Sequence, residues 1–340
     1  MNAAIPFYRS FGWRPNTMKK ILLPIIIIFL VTCQVSAQVK LAQTGFQYLS
    51  VGQDARAVGM GEAYVCMEGV SSGMFYNPAS ITGFDGMVDV SGNYFTWIAD
   101  IKYMSFTLGV DPWDGLYGTF GLSIQSVDYG DFYGTIVWPN EDGYLPTEIF
   151  NPTAISIGLA YAKALSDRFT VGGQVKYVSQ QLGKSTIPGE GTKKNVTDVV
   201  AFDFGTIYNT GFESLAFGMS VRNFSSEVKY EQEGFQLPLT FKLGLSINAF
   251  DFTKFDPEMH QLLILVDAVH PRAFTEYLNM GTEYSFMKTF ALRVGYITHQ
   301  DDYGFTAGFG LSSFGFEINY AYAPFDIFED VHRFTLRFTY

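Results

Sequence analysis

Four histidines, His260, His270, His299 and His332, are the side chains of this sequence best suited to proton transfer or metal binding. No two of them stand at the short spacing that brings paired ligands onto one ion. Gly218-Met219-Ser220-Val221-Arg222 begins like the Gly-x-Ser-x-Gly turn that exposes a nucleophilic serine, but arginine fills its last position. Carboxylate pairs occur at Glu141-Asp142 and Asp301-Asp302, in stretches that read as solvent-facing turns. Gly59-Met60-Gly61 is not a dinucleotide fingerprint, because Tyr64 occupies the third glycine position and no βαβ unit surrounds it. The expectation is a chain with no catalytic residues, no bound metal and no cofactor. A serine–histidine enzyme on a barrel wall is the catalytic alternative, and histidines at segment ends and in links argue against it.

The elements that carry these residues are strands. The last nine residues alternate: Phe334, Leu336, Phe338 and Tyr340 fall on one face, Arg333, Thr335, Arg337 and Thr339 on the other. An aromatic C-terminus after such alternation is how outer-membrane β-barrels commonly end; an edge strand of a soluble sheet is the alternative. Leu239, Phe241, Leu243, Leu245 and Ile247 likewise oppose Thr240, Lys242, Gly244, Ser246 and Asn248. About fourteen segments of this kind follow residue 88: 88–97, 101–110, 116–127, 154–164, 169–181, 199–208, 215–223, 239–250, 261–269, 275–284, 290–298, 304–312, 314–323 and 332–340. An even number of ten-residue segments, apolar on one face and polar or small on the other, predicts an all-β fold: a transmembrane antiparallel barrel.

Composition agrees. Charged residues are 16% and aromatics 17% of the 340, with 33 Phe and 21 Tyr, and the net charge of −11 excludes a nucleic-acid partner. Hydrophobics at 48%, without a long apolar run after the N-terminus, exclude a helical membrane bundle. Links 111–115, 165–168, 209–214, 251–260, 285–289 and Ser312-Ser313 are mostly short and read as periplasmic; 128–153, 182–198, 224–238 and 324–331 read as outer loops. On this map both termini lie in the periplasm. No linker or second globular domain is expected.

Residues 1–37 read as an export signal: Lys19-Lys20, an apolar stretch from Ile21 to Thr32, and Val35-Ser36-Ala37 before Gln38. Met18 offers a second start, so residues 1–17 read as upstream of the true one. A transmembrane anchor is too short for a span here, and Thr32 disfavours lipidation at Cys33. Cleavage leaves Cys66 as the one cysteine, with no disulfide.

Residues 38–87 precede the alternation and are rich in small residues. They hold Asp54-Ala55-Arg56-Ala57-Val58-Gly59-Met60-Gly61-Glu62-Ala63-Tyr64-Val65, then Tyr76-Asn77-Pro78-Ala79. In this order, with Trp97 early in the barrel and the aromatic C-terminal strand, the chain resembles the PorV/PorQ family of outer-membrane proteins of the type IX secretion system, a branch of the FadL-like barrels. Glu62 and Cys66 depart from that pattern, where smaller residues are expected. The resemblance implies that the segment before the first strand folds into the lumen as a plug, with Arg56, Gly59, Gly61, Asn77, Pro78 and Ala79 as its motif. A periplasmic cap is the alternative. Arg56, Asp54 and Glu62 are available to pair with lumen-facing Lys242, Arg293, Arg337, Asp203 and Glu317.

By the same resemblance the chain is a noncatalytic component of type IX secretion in the outer membrane of a Gram-negative cell. Its partners would be membrane lipid, the secretion machinery and cargo proteins, whose C-terminal signal domains it would receive and pass to the surface attachment machinery. Tyr129, Phe132, Tyr133, Trp138 and Tyr144, set among acidic residues, form the candidate partner loop, since aromatics supply large contact area; an aromatic girdle at the bilayer interface is the bland alternative. The competing function is FadL-like passive transport of hydrophobic small molecules.

Overall fold

A computed structural model describes residues 44–187, 191–299 and 304–340. The export signal at residues 1–37, the first residues of the proposed plug segment and Asp301-Asp302 lie outside the described residues. Fourteen of the described strands close into an antiparallel barrel. In chain order the first seven are β1 (Val88–Thr96), β2 (Lys102–Val110), β3 (Thr119–Asp128), β4 (Thr153–Ser166), β5 (Phe169–Ile187), β6 (Gly191–Asn209) and β7 (Ala216–Ser225). The remaining seven are β8 (Thr240–Asn248), β9 (His260–Pro271), β10 (Tyr277–Phe286), β11 (Phe290–Ile297), β12 (Phe305–Ser313), β13 (Phe316–Ala323) and β14 (Val331–Thr339). Each pairs with its sequence neighbour, and β14 closes on β1 with Asp89 opposite Thr339 and Gly92 opposite Leu336.

The period of two decides which side chains face out. Phe334, Leu336 and Tyr340 are exposed, while Arg333 and Thr335 are buried inside. Leu159, Leu243, Leu292, Val294 and Ile318 form an outer apolar belt. Exposed aromatics border it at both rims: Trp113, Tyr117, Phe212, Phe290 and Phe316 at the end that carries Tyr340, and Tyr94, Phe224, Tyr296 and Phe305 at the other. An apolar band between aromatic girdles is the surface a bilayer requires.

One expectation is corrected. Residues 182–187 and 191–198 are not an open loop: they continue β5 and β6 as a tall pair of strands, with Gln181 opposite Val196 and Ile187 opposite Gly191. Beyond the bilayer neither face of that pair must be apolar, so its residues carry no alternation to read. The two ends of the described chain, Thr44 and Tyr340, lie at opposite rims, and the N-terminus that was expected in the periplasm lies outside the described residues. Tyr340 O accepts from the amides of Met87 and Val88, at 2.6 and 2.7 Å, at one end. Thr44 forms a parallel bridge with Gln236, in the link that follows β7 at the opposite end. The segment from 44 to 87 therefore runs the length of the barrel.

Candidate functional site

The segment 44–87 packs against inward-facing side chains from strands all round the barrel. Its one α-helix, α1 (Ala55–Gly59), starts at Asp54, whose carboxylate accepts from Ala57 N at 3.1 Å. Ala55 N donates to Thr335 Oγ1 of β14 at 2.8 Å, fixing the helix to the closing strand. Asn77 turns the second corner: its carbonyl oxygen accepts from Ala79 N at 3.0 Å and its amide donates to Val65 O at 2.7 Å. Pro78 opens the 3-10 turn Pro78–Ile81, where a missing N–H costs nothing.

The glycines explain how this segment fits. A Cβ on Gly61 would meet Tyr296 N at 2.9 Å, and one on Gly59 would meet the Gly308 Cα at 3.3 Å. The wall answers with glycines of its own. A Cβ on Gly295 would collide with Gly61 N, one on Gly281 with Met60 O, and one on Gly205 with Asn77. Gly281 stands directly opposite Gly295, and Gly172 opposite Gly205, so bare backbone forms patches on the inner wall. Backbone lies on backbone there, a contact no other residue permits.

Charge holds the same stretch of wall, two residues along β10 and β11 from the Gly281–Gly295 pair. Arg56 makes a two-pronged pair with Glu283, at 2.8 and 2.6 Å, and Glu283 also accepts from Arg293 at 2.5 Å. Arg293 donates to Asn319 at 2.7 Å. Arg337 reaches Asp89 at 2.6 Å, Glu317 at 3.1 Å and Gly69 O. Of the anticipated pairings, Arg56 instead finds Glu283, which the sequence reading did not single out. Asp54 is a helix cap, and Lys242 approaches the backbone oxygen of Glu62 at 3.5 Å. Asp203 pairs with Lys176 at 2.7 Å within the wall. Buried ions of this kind are costly to desolvate, so each depends on its partner.

Cys66 is buried in the same segment, and burial pushes its thiol up, keeping it protonated at neutral pH. The folded protein is therefore expected to resist a hydrophilic maleimide at pH 7 and to react once denatured, checked by intact mass. Among the described residues no three His, Cys, Asp or Glu side chains are grouped to hold a metal ion. The histidines lie apart: His260 bonds Tyr284 at 2.8 Å, His332 bonds Tyr320 at 2.7 Å, and His270 meets Glu276 at 2.8 Å.

At the rim opposite Tyr340, the expected loop 128–153 holds a separate two-stranded ribbon, Phe132–Val137 against Tyr144–Phe150. Tyr133 opposite Ile149 and Val137 opposite Tyr144 place four apolar side chains on one face, with Tyr133 81% and Val137 92% exposed. Phe132 lies on the other face, stacked on Phe150 at 5.9 Å. Trp138 sits at the tip. Tyr129 belongs elsewhere: it turns down, accepts from Gln180 at 3.1 Å and packs on the cluster around Phe46.

The family model of the type IX secretion system membrane protein PorP/SprF matches residues 70–324. The chain belongs to the PorP/SprF family. It is an outer-membrane β-barrel of the type IX secretion system. Among solved structures it is similar to the Ralstonia pickettii toluene transporter TbuX, at 11% identity and TM-score 0.57, covering 85% of this chain and 98% of that one. The P. putida toluene transporter TodX gives 10% and 0.56, covering 85% and 99%. A Pseudomonas aeruginosa FadL homologue gives 12% and 0.51, covering 84% and 97%. At these identities the likeness is one of fold. No curated protein matches.

Proposed function

We propose that this PorP/SprF-family barrel works as a noncatalytic docking component of type IX secretion, the role implied by its resemblance to the PorV/PorQ family. It receives the C-terminal signal domain of a cargo protein and passes it to the attachment machinery. Residues 38–87 act as a permanent plug, and residues 1–37 serve export. The observation that carries this reading is the fit of Gly59 and Gly61 onto the bare backbone of Gly308 and Gly295, reinforced by the Arg56–Glu283 pair. A segment so held is a core, not a door, which leaves the exposed ribbon 132–150 as the working surface.

Replacing 132–150 with a tight hairpin tests it. The scaffold is held by strand pairing, so the barrel is expected to remain folded while surface display of type IX cargo falls sharply. Orientation is checked separately: a protease-sensitive tag in 182–198 is expected to be cut from outside intact cells, and one in 251–260 to be protected. The fold shared with toluene transporters supports a second reading, passive uptake of a hydrophobic small molecule through the lumen. It predicts that the shortened variant displays cargo fully and that loss of the gene affects uptake alone.

A further inference from the structure

Building on that docking reading, we propose that the ribbon takes its partner by strand addition along the free edge of Phe132–Val137, and that the partner strand is basic and apolar. Sheet edges invite pairing, and proteins usually protect them with Lys, Pro or a covering element. The tall pair of β5 and β6 does so with Lys184, Lys193 and Lys194. Tyr144–Phe150 carries Pro146, and its far side leans on that pair: the Phe150 ring lies over Gly183, and Glu148 reaches Lys184 at 3.6 Å. Phe132–Val137 has none of these devices. It holds no charge and no proline, it is rich in aromatic and β-branched residues, and among the described residues no strand pairs its outer edge.

Charge then selects the occupant. Residues 128–152 contain Asp128, Asp131, Glu141, Asp142 and Glu148 and no Lys, Arg or His. An apolar strip in a stretch whose charged residues are all carboxylates attracts an extended segment that alternates apolar and basic side chains, and it repels an anionic lipid surface. Main-chain bonds along the edge supply the affinity, and the Tyr133, Val137, Tyr144 and Ile149 face receives the apolar side chains.

The test uses the full chain in detergent and two capped nine-residue peptides, one alternating Lys and Val, the other Glu and Val. The Lys–Val peptide is expected to bind, and raised salt is expected to weaken it by about tenfold. A D131K/E141K/D142K/E148K variant, whose changes are all on exposed side chains, is expected to lose at least about tenfold for Lys–Val and to gain for Glu–Val. Thr135→Pro, which removes an edge N–H, is expected to weaken both. Equal binding of the two peptides, or indifference to Thr135→Pro, overturns the proposal. So does quenching of Trp138 by brominated lipid in nanodiscs without peptide, because the ribbon would then rest on the bilayer. If shortening 132–150 abolishes cargo display but charge reversal leaves it whole, strand addition fails while docking stands. If shortening changes no display while the peptides behave as stated, the edge site stands and the docking role falls.

Discussion

Gly295→Val is expected to free the lumen segment from the barrel wall and to expose residues 44–87 to protease, while the strands stay closed. The new side chain would enter space already filled by Gly61 N and the Met60 carbonyl carbon, and neither can yield, because both are backbone fixed by α1 and its cap. Overpacking in a filled core costs about 1–3 kcal/mol, and more where backbone is the obstacle. Gly92→Val is the control: a Cβ there meets nothing within 4 Å, and Gly92 sits opposite Leu336 on the lipid-facing side. Glu283→Ala, two residues along the same strand pair, is expected to act in the same direction, stranding Arg56 and Arg293 at a cost of about 3–5 kcal/mol. Limited proteolysis of the folded barrel, followed by mass mapping, reads both. A protected segment in Gly295→Val contradicts the backbone-on-backbone docking.

The second large effect lies on the outer face of the closing strand. Leu336→Arg places a charge in the middle of the lipid-facing row, between Gly92 of β1 and Ile318 of β13. Arginine near the bilayer midplane costs about 2–4 kcal/mol. The same charge at Thr335, which faces the lumen and accepts from Ala55 N, acts by a different route, through the helix contact. Phe338→Asp with Tyr340→Asp also charges the closing strand, but Tyr340 stands at the rim, 79% exposed, where the penalty is smaller. Leu336→Arg is therefore expected to lower the folded fraction in outer membranes more than Phe338→Asp or Tyr340→Asp made singly, measured by heat-modifiable migration and by periplasmic proteolysis. Equal levels for all three would contradict the assignment of this face to lipid.

The barrel was legible because a lipid wall imposes a strict alternation. In Leu239–Asn248 every second residue is apolar, and the strand Thr240–Asn248 follows that pattern to within a residue. Where the wall rises above the lipid the constraint ends, so Gly183-Lys184-Ser185-Thr186 read as loop although it continues β5. The ribbon was hidden for a related reason: Gly134 and Pro146 interrupt its alternation, and a bulge shifts its register between Tyr133 and Thr135. At the lumen the motif glycines were visible but their partners were not. Gly281 and Gly295 become a docking patch only once β10 and β11 are in register. Glu283 carried no local signal at all, since its partner Arg56 lies 227 residues away.

The lumen segment is expected to stay closed throughout the protein's work, and a cross-link that pins it to the wall decides whether it does. Ser71 of that segment and Thr107 of β2 hold their hydroxyl oxygens 2.9 Å apart. Ser71→Cys with Thr107→Cys, in a Cys66→Ala background, places two thiols within reach of a disulfide. The measurement is surface display of type IX cargo in cells whose barrel is shown by mass to be cross-linked. A barrel that serves as a docking platform displays cargo at the level of the uncross-linked protein. Loss of display that a reductant restores would show that the segment must move, and would contradict the account.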